Sequence, residues 1–239
     1  MDGWVNLDVP IYHGRPLMDH SHMPSSALLE VGKSGICRPM QPPSQNIEHF
    51  PQRDPYRFCR FLCDLEDLVE TVSDDCDRIR IAALLVQRLL AQAHWIMPSC
   101  PEPEPNKGLA IQRLYREPGY PFTIKLVSWL PGIKSPVHNH AAWSIVAIIG
   151  DATCGHERNQ FWHRQDDGRQ PDYAQLQPAE QHTLKPGNIL GLMPDAIHSV
   201  EQLSAPHSQK PTYTFNVYGK ADLKRRYIFD PATNRLKNH

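Results

Sequence analysis

Twenty-three prolines in 239 residues constrain this chain more than any other feature. That is about twice the usual proline frequency of ~5%. Each proline removes a backbone donor and breaks a helix interior, so a mostly helical fold is disfavoured. Seven of them (Pro10, Pro16, Pro24, Pro39, Pro42, Pro43 and Pro51) recur through residues 1–53 and leave no room for a long element. This segment reads as an irregular proline-rich arm, either draped over the core or extending from it.

Residues 54–97 follow a different rule. Phe58, Phe61, Leu62, Leu65, Leu68 and Val69 repeat at three- and four-residue spacing, and Ile79, Ala82, Ala83, Val86, Leu89 and Leu90 continue it. This periodicity predicts two helices, each with one buried face. Ser73, followed by Asp74 and Asp75, reads as the N-cap and acidic first turn of the second helix, with Pro98 as its end. Pro101, Pro103 and Pro105 alternate with glutamates as a stiff linker. Residues 54–108 thus form a helical lobe with its linker.

From residue 109 to residue 239 the pattern is that of strands. Phe122–Leu130 alternates and stops at Pro131-Gly132, and Trp143–Ile149 is an apolar run closed by Gly150-Asp151. Further strands fit His156–Arg164, Gln181–Leu184, Asn188–Met193, His198–Leu203 and Tyr213–Tyr218. Many short strands punctuated by Gly, Pro and Asp predict a mainly β domain, a sandwich or barrel, behind a small helical lobe.

Charge and length remove several function classes. Lys+Arg 25 against Asp+Glu 26 leaves a net charge of −1, which provides no basic field for nucleic acid. No stretch reaches the roughly 18–20 apolar residues of a spanning helix, so no membrane partner is expected. The six cysteines are unevenly spaced and form no ribbon or thioredoxin pattern. With no leader visible at the start, reduced thiols and a cytoplasmic location are expected.

Thirteen histidines are many for this length, and imidazole is the commonest metal ligand among side chains. The informative ones lie in Gly132-Ile-Lys-Ser-Pro-Val-His138-Asn139-His140, followed by a strand and Gly150. Residues two apart on an extended strand share a face, so His138 and His140 present both rings to one side. A third ligand is available at His198, where Pro186-Gly187 opens a strand, Pro194-Asp195 turns it, and the histidine begins the next. A lone His-x-His on a strand is commonplace. Set between glycines and joined to a separate Gly/Pro-delimited hairpin, it reads as a metal site.

These motifs resemble the cupin superfamily and, within it, the thiol dioxygenases (cysteine dioxygenase and 3-mercaptopropionate dioxygenase-like enzymes), from about Ala110 to Pro231. Gly132, His138, His140 and Gly150 match the first cupin motif; Gly187, Pro194 and His198 match the second. The usual acidic ligand is absent, with Ser144 and Ile145 where a glutamate is expected, as in the three-histidine sites of the thiol dioxygenases. Thr214-Phe-Asn-Val-Tyr218-Gly219 resembles the late strand that places a tyrosine near the metal, but Asn216 stands where the family has histidine. The thioether-forming cysteine is also missing, Trp143, Ser144 and Ile145 occupying that stretch, so no crosslink to Tyr218 is expected.

The resemblance implies a double-stranded β-helix, or jelly-roll barrel, holding Fe(II) on His138, His140 and His198. It further implies a small carboxylate-bearing thiol and O₂ as partners, and a sulfinate as product. Tyr218, Asn216 and Thr214 become the candidate catalytic residues. For substrate contact the candidates are Arg226 and Arg225, which follow the tyrosine as in the mercaptopropionate type. Gln112 stands where the cysteine enzymes carry their arginine, with Arg113 adjacent and one residue out of register, and Trp143 lies beside the metal motif. A cupin oxygenase or isomerase with another substrate, or a non-catalytic binding cupin, stays open.

Overall fold

The computed structural model describes residues 27–44 and 55–238. The strands are β1 (Leu28–Val31), β2 (Cys37–Pro39), β3 (Leu109–Arg116), β4 (Phe122–Trp129), β5 (Val137–Asn139), β6 (Ser144–Ile149), β7 (His156–Arg164), β8 (Leu176–Leu184), β9 (Ile189–Leu192), β10 (Ile197–Leu203), β11 (Thr212–Gly219), β12 (Tyr227–Asp230) and β13 (Arg235–Asn238). Two helices, α1 (Phe58–Thr71) and α2 (Asp75–Gln92), precede β3. None of the helices among the described residues is long and apolar enough to cross a membrane.

The strands form a seven-stranded sheet, β2-β1-β9-β6-β11-β4-β3, and a six-stranded sheet, β13-β12-β5-β10-β7-β8. From β4 to β11 the chain changes sheet at every step except the β7–β8 hairpin. Two facing sheets so interleaved are a jelly-roll barrel. The fold is therefore mainly β, with a helical lobe before the barrel, as the resemblance implies.

The seven-stranded sheet is apolar on both faces but packs differently on each. Ile124, Leu126, Ile145, Ala147, Phe215, Val217 and Ile189 face outward onto the helices, where they join Phe61, Leu65, Leu68, Ile79, Ala82, Val86 and Leu89 in one core. Phe61 meets Phe215 at 6.0 Å between ring centroids. Contact is closest at Gly191 on β9, where any Cβ would overlap the Ile79 side chain of α2. The inward face contributes Leu29, Val31, Val146, Ile148, Leu190 and Leu192 to a smaller core with Phe161 and Leu184 of the opposite sheet.

Residues 27–44 depart from the irregular arm the prolines predict. β1 lies parallel to β9, from Leu28↔Ile189 to Val31↔Leu192, and pairs antiparallel with β2. Arg80 of α2 donates two hydrogen bonds to Glu30 of β1, both at 3.0 Å, pinning this addition to the helical lobe. Pro39 sits at the end of β2, on the edge of the sheet, where no N–H is needed. The rest of the arm, residues 1–26 and 45–53, lies outside the described residues.

The helix ends also differ from expectation. Asp74, not Ser73, caps α2, its carboxylate accepting from the Asp77 N–H at 2.9 Å. The helix stops at Gln92 rather than at Pro98, which sits in a short 3₁₀ turn over Met97–Ser99. A proline clashes with the carbonyl four residues earlier, so the regular helix ends about a turn before it. β5, β12 and β13 were too short to show a period. All six cysteines are free thiols.

Candidate metal centre

β5 and β10 are neighbours in the six-stranded sheet, and their register sets His138 directly opposite His198. Their rings lie 4.7 Å apart between centroids. His140 follows just past the end of β5, and Ala141 behind it takes a positive φ of 52° to turn the chain toward β6. The His140 ring comes to 5.2 Å from that of His138 and 5.0 Å from that of His198. One ring nitrogen from each histidine lies within 4.8 Å of the other two.

Each imidazole is held through its other nitrogen. His138 Nδ1 lies 3.0 Å from the Pro136 carbonyl, which only accepts, so Nδ1 carries the hydrogen and Nε2 the lone pair. His198 Nδ1 lies 2.9 Å from Asn159 Oδ1. The Asn159 amide is fixed in turn, because its Nδ2 donates to Glu157 Oε1 at 3.0 Å. His198 therefore also donates from Nδ1 and bares Nε2. His140 Nδ1 meets the Ser144 hydroxyl at 2.7 Å. This is the outer-shell arrangement that fixes a ligand tautomer and ring orientation in metal sites.

The Nε2 atoms of His140 and His198 lie 3.3 Å apart. Imidazole–metal bonds of about 2.0–2.2 Å, at tetrahedral or octahedral angles, place two ligand nitrogens roughly 3–3.6 Å apart. A cation thus fits between lone pairs already gathered for it. Burial, and then the neighbouring charges, lower the pKa of His140 well below its ordinary value; burial and the charge on His138 do the same to His198. Both rings are neutral at neutral pH and ready to ligate. Imidazole alone suits iron, zinc, copper and nickel.

Tyr218 closes one side of the centre, its ring edge-on to His140 at 5.1 Å between centroids. The β11–β6 register sets Tyr218 opposite Ser144, on the barrel face. Its hydroxyl donates to Asn216 Oδ1 at 3.3 Å, and Asn216 Nδ2 donates to Thr214 Oγ1 at 2.8 Å. Burial pushes the Tyr218 phenol far above its usual pKa, so it keeps its proton at neutral pH. Phe161 lies parallel to His198 at 6.3 Å and seals the centre against the apolar part of the barrel.

The substrate candidates divide. Arg226 is partly buried, its Nε is buried without a hydrogen-bond partner, and its charge is felt at His140, Tyr218 and Lys125. Arg225 is exposed and contributes its backbone carbonyl to Asn139 Nδ2. Arg113 pairs with Lys125 across β3–β4 and stands exposed at the sheet edge. Gln112 is opposite Leu126, on the helix-facing side, and is not brought to the centre. Trp143 is not brought there either. It is buried in the helix-facing core with its indole over Gly219, where a Cβ would overlap the ring. Cys154 is buried against Gly150, at the opposite end of β6 from Ser144.

Sequence reasoning missed four residues here. In the sequence Ser144 marks only what is missing, an acid and a cysteine, yet its hydroxyl holds His140. Glu157, Asn159 and Gln202 form a buried network, Gln202 Nε2 donating to Glu157 Oε2 at 3.0 Å. Burial raises the Glu157 pKa, and the two amide donors work against that rise. The alternation Glu157, Asn159, Phe161 on one face of β7 was the available signal.

No family model matches the chain. Among solved structures it is similar to an oxalate oxidase in complex with glycolate, with 16% identity over 52% of this chain and 56% of that one and a TM-score of 0.38. It is also similar to a cupin superfamily protein from Desulfitobacterium hafniense (14% identity, 50% and 84% of the two chains, TM-score 0.35). The cupin domain of Cnp3 from Schizosaccharomyces pombe gives 12% identity, 54% and 74% coverage and a TM-score of 0.37. The match spans little more than half the length of the oxalate oxidase. Likeness at this level assigns no chemistry.

Proposed function

We propose that this protein is a mononuclear non-haem iron thiol dioxygenase that oxidises a small mercapto-carboxylate to its sulfinate. The observation that carries this reading is a set of three imidazoles with no carboxylate among them, beside a neutral, partly buried tyrosine. A neutral ligand set leaves the charge of a divalent ion uncompensated, which favours an anionic thiolate over a neutral substrate. Held by His138, His140 and His198, ferrous iron supplies the redox chemistry that joins a thiolate to O₂.

The chain's own residues do the rest. Tyr218 keeps its phenolic proton and offers it as a hydrogen-bond donor beside His140. Asn216 accepts from that hydroxyl while anchored on Thr214, so it fixes the phenol's direction. A neutral amide does not pass a proton on, so this chain orients Tyr218 and does not recharge it. The Arg226 guanidinium, with Nε lacking a partner, takes the substrate carboxylate in a two-point contact that orients the thiol. In this reading the partners are a thiol and O₂ in the cytoplasm, with no role for nucleic acid or membrane.

Asn216 favours one second reading, a cupin oxygenase or isomerase with a substrate other than a thiol. Oxygen uptake by the iron-loaded protein with 3-mercaptopropionate, cysteine and cysteamine decides between them. Turnover of the two carboxylate-bearing thiols above cysteamine is expected. Preference for cysteamine removes the arginine anchor, and no uptake with any thiol moves the assignment to the second reading.

A further inference from the structure

The acid that the ligand set lacks stands one layer further out. Glu157, Asn159 and Phe161 alternate on the inward face of β7, opposite Gln202, Val200 and His198 of β10. Glu157 is only 4% exposed. Both of its oxygens accept hydrogen bonds, Oε1 from Asn159 Nδ2 and Oε2 from Gln202 Nε2, each at 3.0 Å. An amide nitrogen only donates, so the side chain is held in its ionised form. Asn159, fully buried, passes the contact on, its Oδ1 accepting from His198 Nδ1 at 2.9 Å. A continuous chain of hydrogen bonds thus runs from the carboxylate through one amide to a metal-directed imidazole. Among the described residues no ion pair includes Glu157.

A buried carboxylate is costly unless a cation answers it, and two neutral amides satisfy its lone pairs without cancelling its charge. The cation to which the hydrogen bonds lead is the one that His138, His140 and His198 are gathered to hold. We infer that Glu157 is a positioning residue and the outlying counter-charge of the metal centre, acting on the ion through Asn159 and His198. It occupies no coordination position, so it shares the charge of the ion and leaves the open positions free for other ligands. The metal-free fold then carries an unanswered charge that ion binding relieves, and the centre favours the higher charge on the ion. The inference rests on the metal centre and not on thiol chemistry.

Glu157→Gln removes the charge and keeps the shape. Gln202 Oε1, buried without a partner, can turn to accept from the new amide. Zinc affinity of the full chain, measured by chelator competition, is expected to fall roughly 10- to 100-fold in this variant. The Tm of the metal-free variant should stay level or rise. Glu157→Asp, which keeps the charge, should lose less affinity than Glu157→Gln. In the iron-loaded protein the one-electron potential should rise in Glu157→Gln, by about 59 mV for each tenfold by which ferric binding weakens more than ferrous. Unchanged zinc affinity, equal losses in the two variants, or a potential that does not move overturns the counter-charge. Zinc binding that depends on Glu157, with no oxygen uptake from any thiol, removes the thiol reading and keeps the counter-charge. Thiol-dependent uptake with zinc affinity indifferent to Glu157→Gln removes the counter-charge and keeps the thiol reading.

Discussion

On β11, Phe215 and Val217 point into the helical lobe, whereas Thr214, Asn216 and Tyr218 point into the barrel. On β4 the same division separates Ile124 and Leu126 from Lys125. The outward side meets two amphipathic helices and is dry and close-packed. The inward side meets the opposite sheet, and toward the histidines it carries the Thr214 and Tyr218 hydroxyls, the Asn216 amide and the Lys125 ammonium. In these strands the polar side lies inside the barrel and the apolar side outside it. Alternation therefore does not by itself tell solvent from interior.

If the two faces divide chemistry from stability, substitutions on each should fail in different ways. His140→Ala should abolish stoichiometric metal binding, and with it any oxygen uptake. Unchanged metal by elemental analysis would place the site elsewhere. Phe215→Ala, on the helix side, should lower unfolding free energy by about 3–5 kcal/mol, the usual cost of emptying a buried aromatic site. Its folded fraction should keep its metal. Loss of metal at full foldedness in that variant would break the division.

Arg226→Ala tests the inward face again at lower amplitude. One charged contact contributes about 1.5–3 kcal/mol, so KM for a carboxylate thiol should rise roughly ten- to a hundredfold with metal content intact. An unchanged KM would assign the carboxylate to another residue. The smallest effect is one of acidity. His140 and His198 have depressed pKa values in the fold, whereas an unfolded histidine titrates near 6.5. Above about pH 6.5 both states are neutral and stability is at its full value. As pH falls below that, only the unfolded state takes up protons, and stability is lost. The Tm of the metal-free protein should fall between pH 7 and pH 5, and less so in a His140→Ala/His198→Ala double variant. Equal slopes would exclude these rings as the source.

Sequence legibility follows the same division. The helices were readable because one buried stripe repeats over many residues, as in Phe61, Leu65 and Leu68. β7 was read with its observed bounds, and His138, His140 and His198 came from two-residue spacing and Gly/Pro punctuation. What escaped depends on pairing across the chain. Asn159 supports His198 only because β7 and β10 are neighbours, and Lys125 meets Tyr218 only because β4 and β11 are. The choice between Gln112 and Arg113 turns on a one-residue register that spacing does not contain, since adjacent residues of a strand take opposite faces.

The parallel pairing of β1 with β9 carries a consequence for how the protein is made. Leu28 leaves the ribosome long before Ile189, its partner. At roughly 5–20 residues per second, about ten to thirty seconds separate the two. Throughout that interval β1 lacks the strand it will join, and in its last part β6, once made, lacks its β9 neighbour. Completion of the seven-stranded sheet is therefore necessarily a late event in synthesis. The nascent chain carries an open sheet edge in the meantime, the kind of surface on which chaperones act and other chains aggregate.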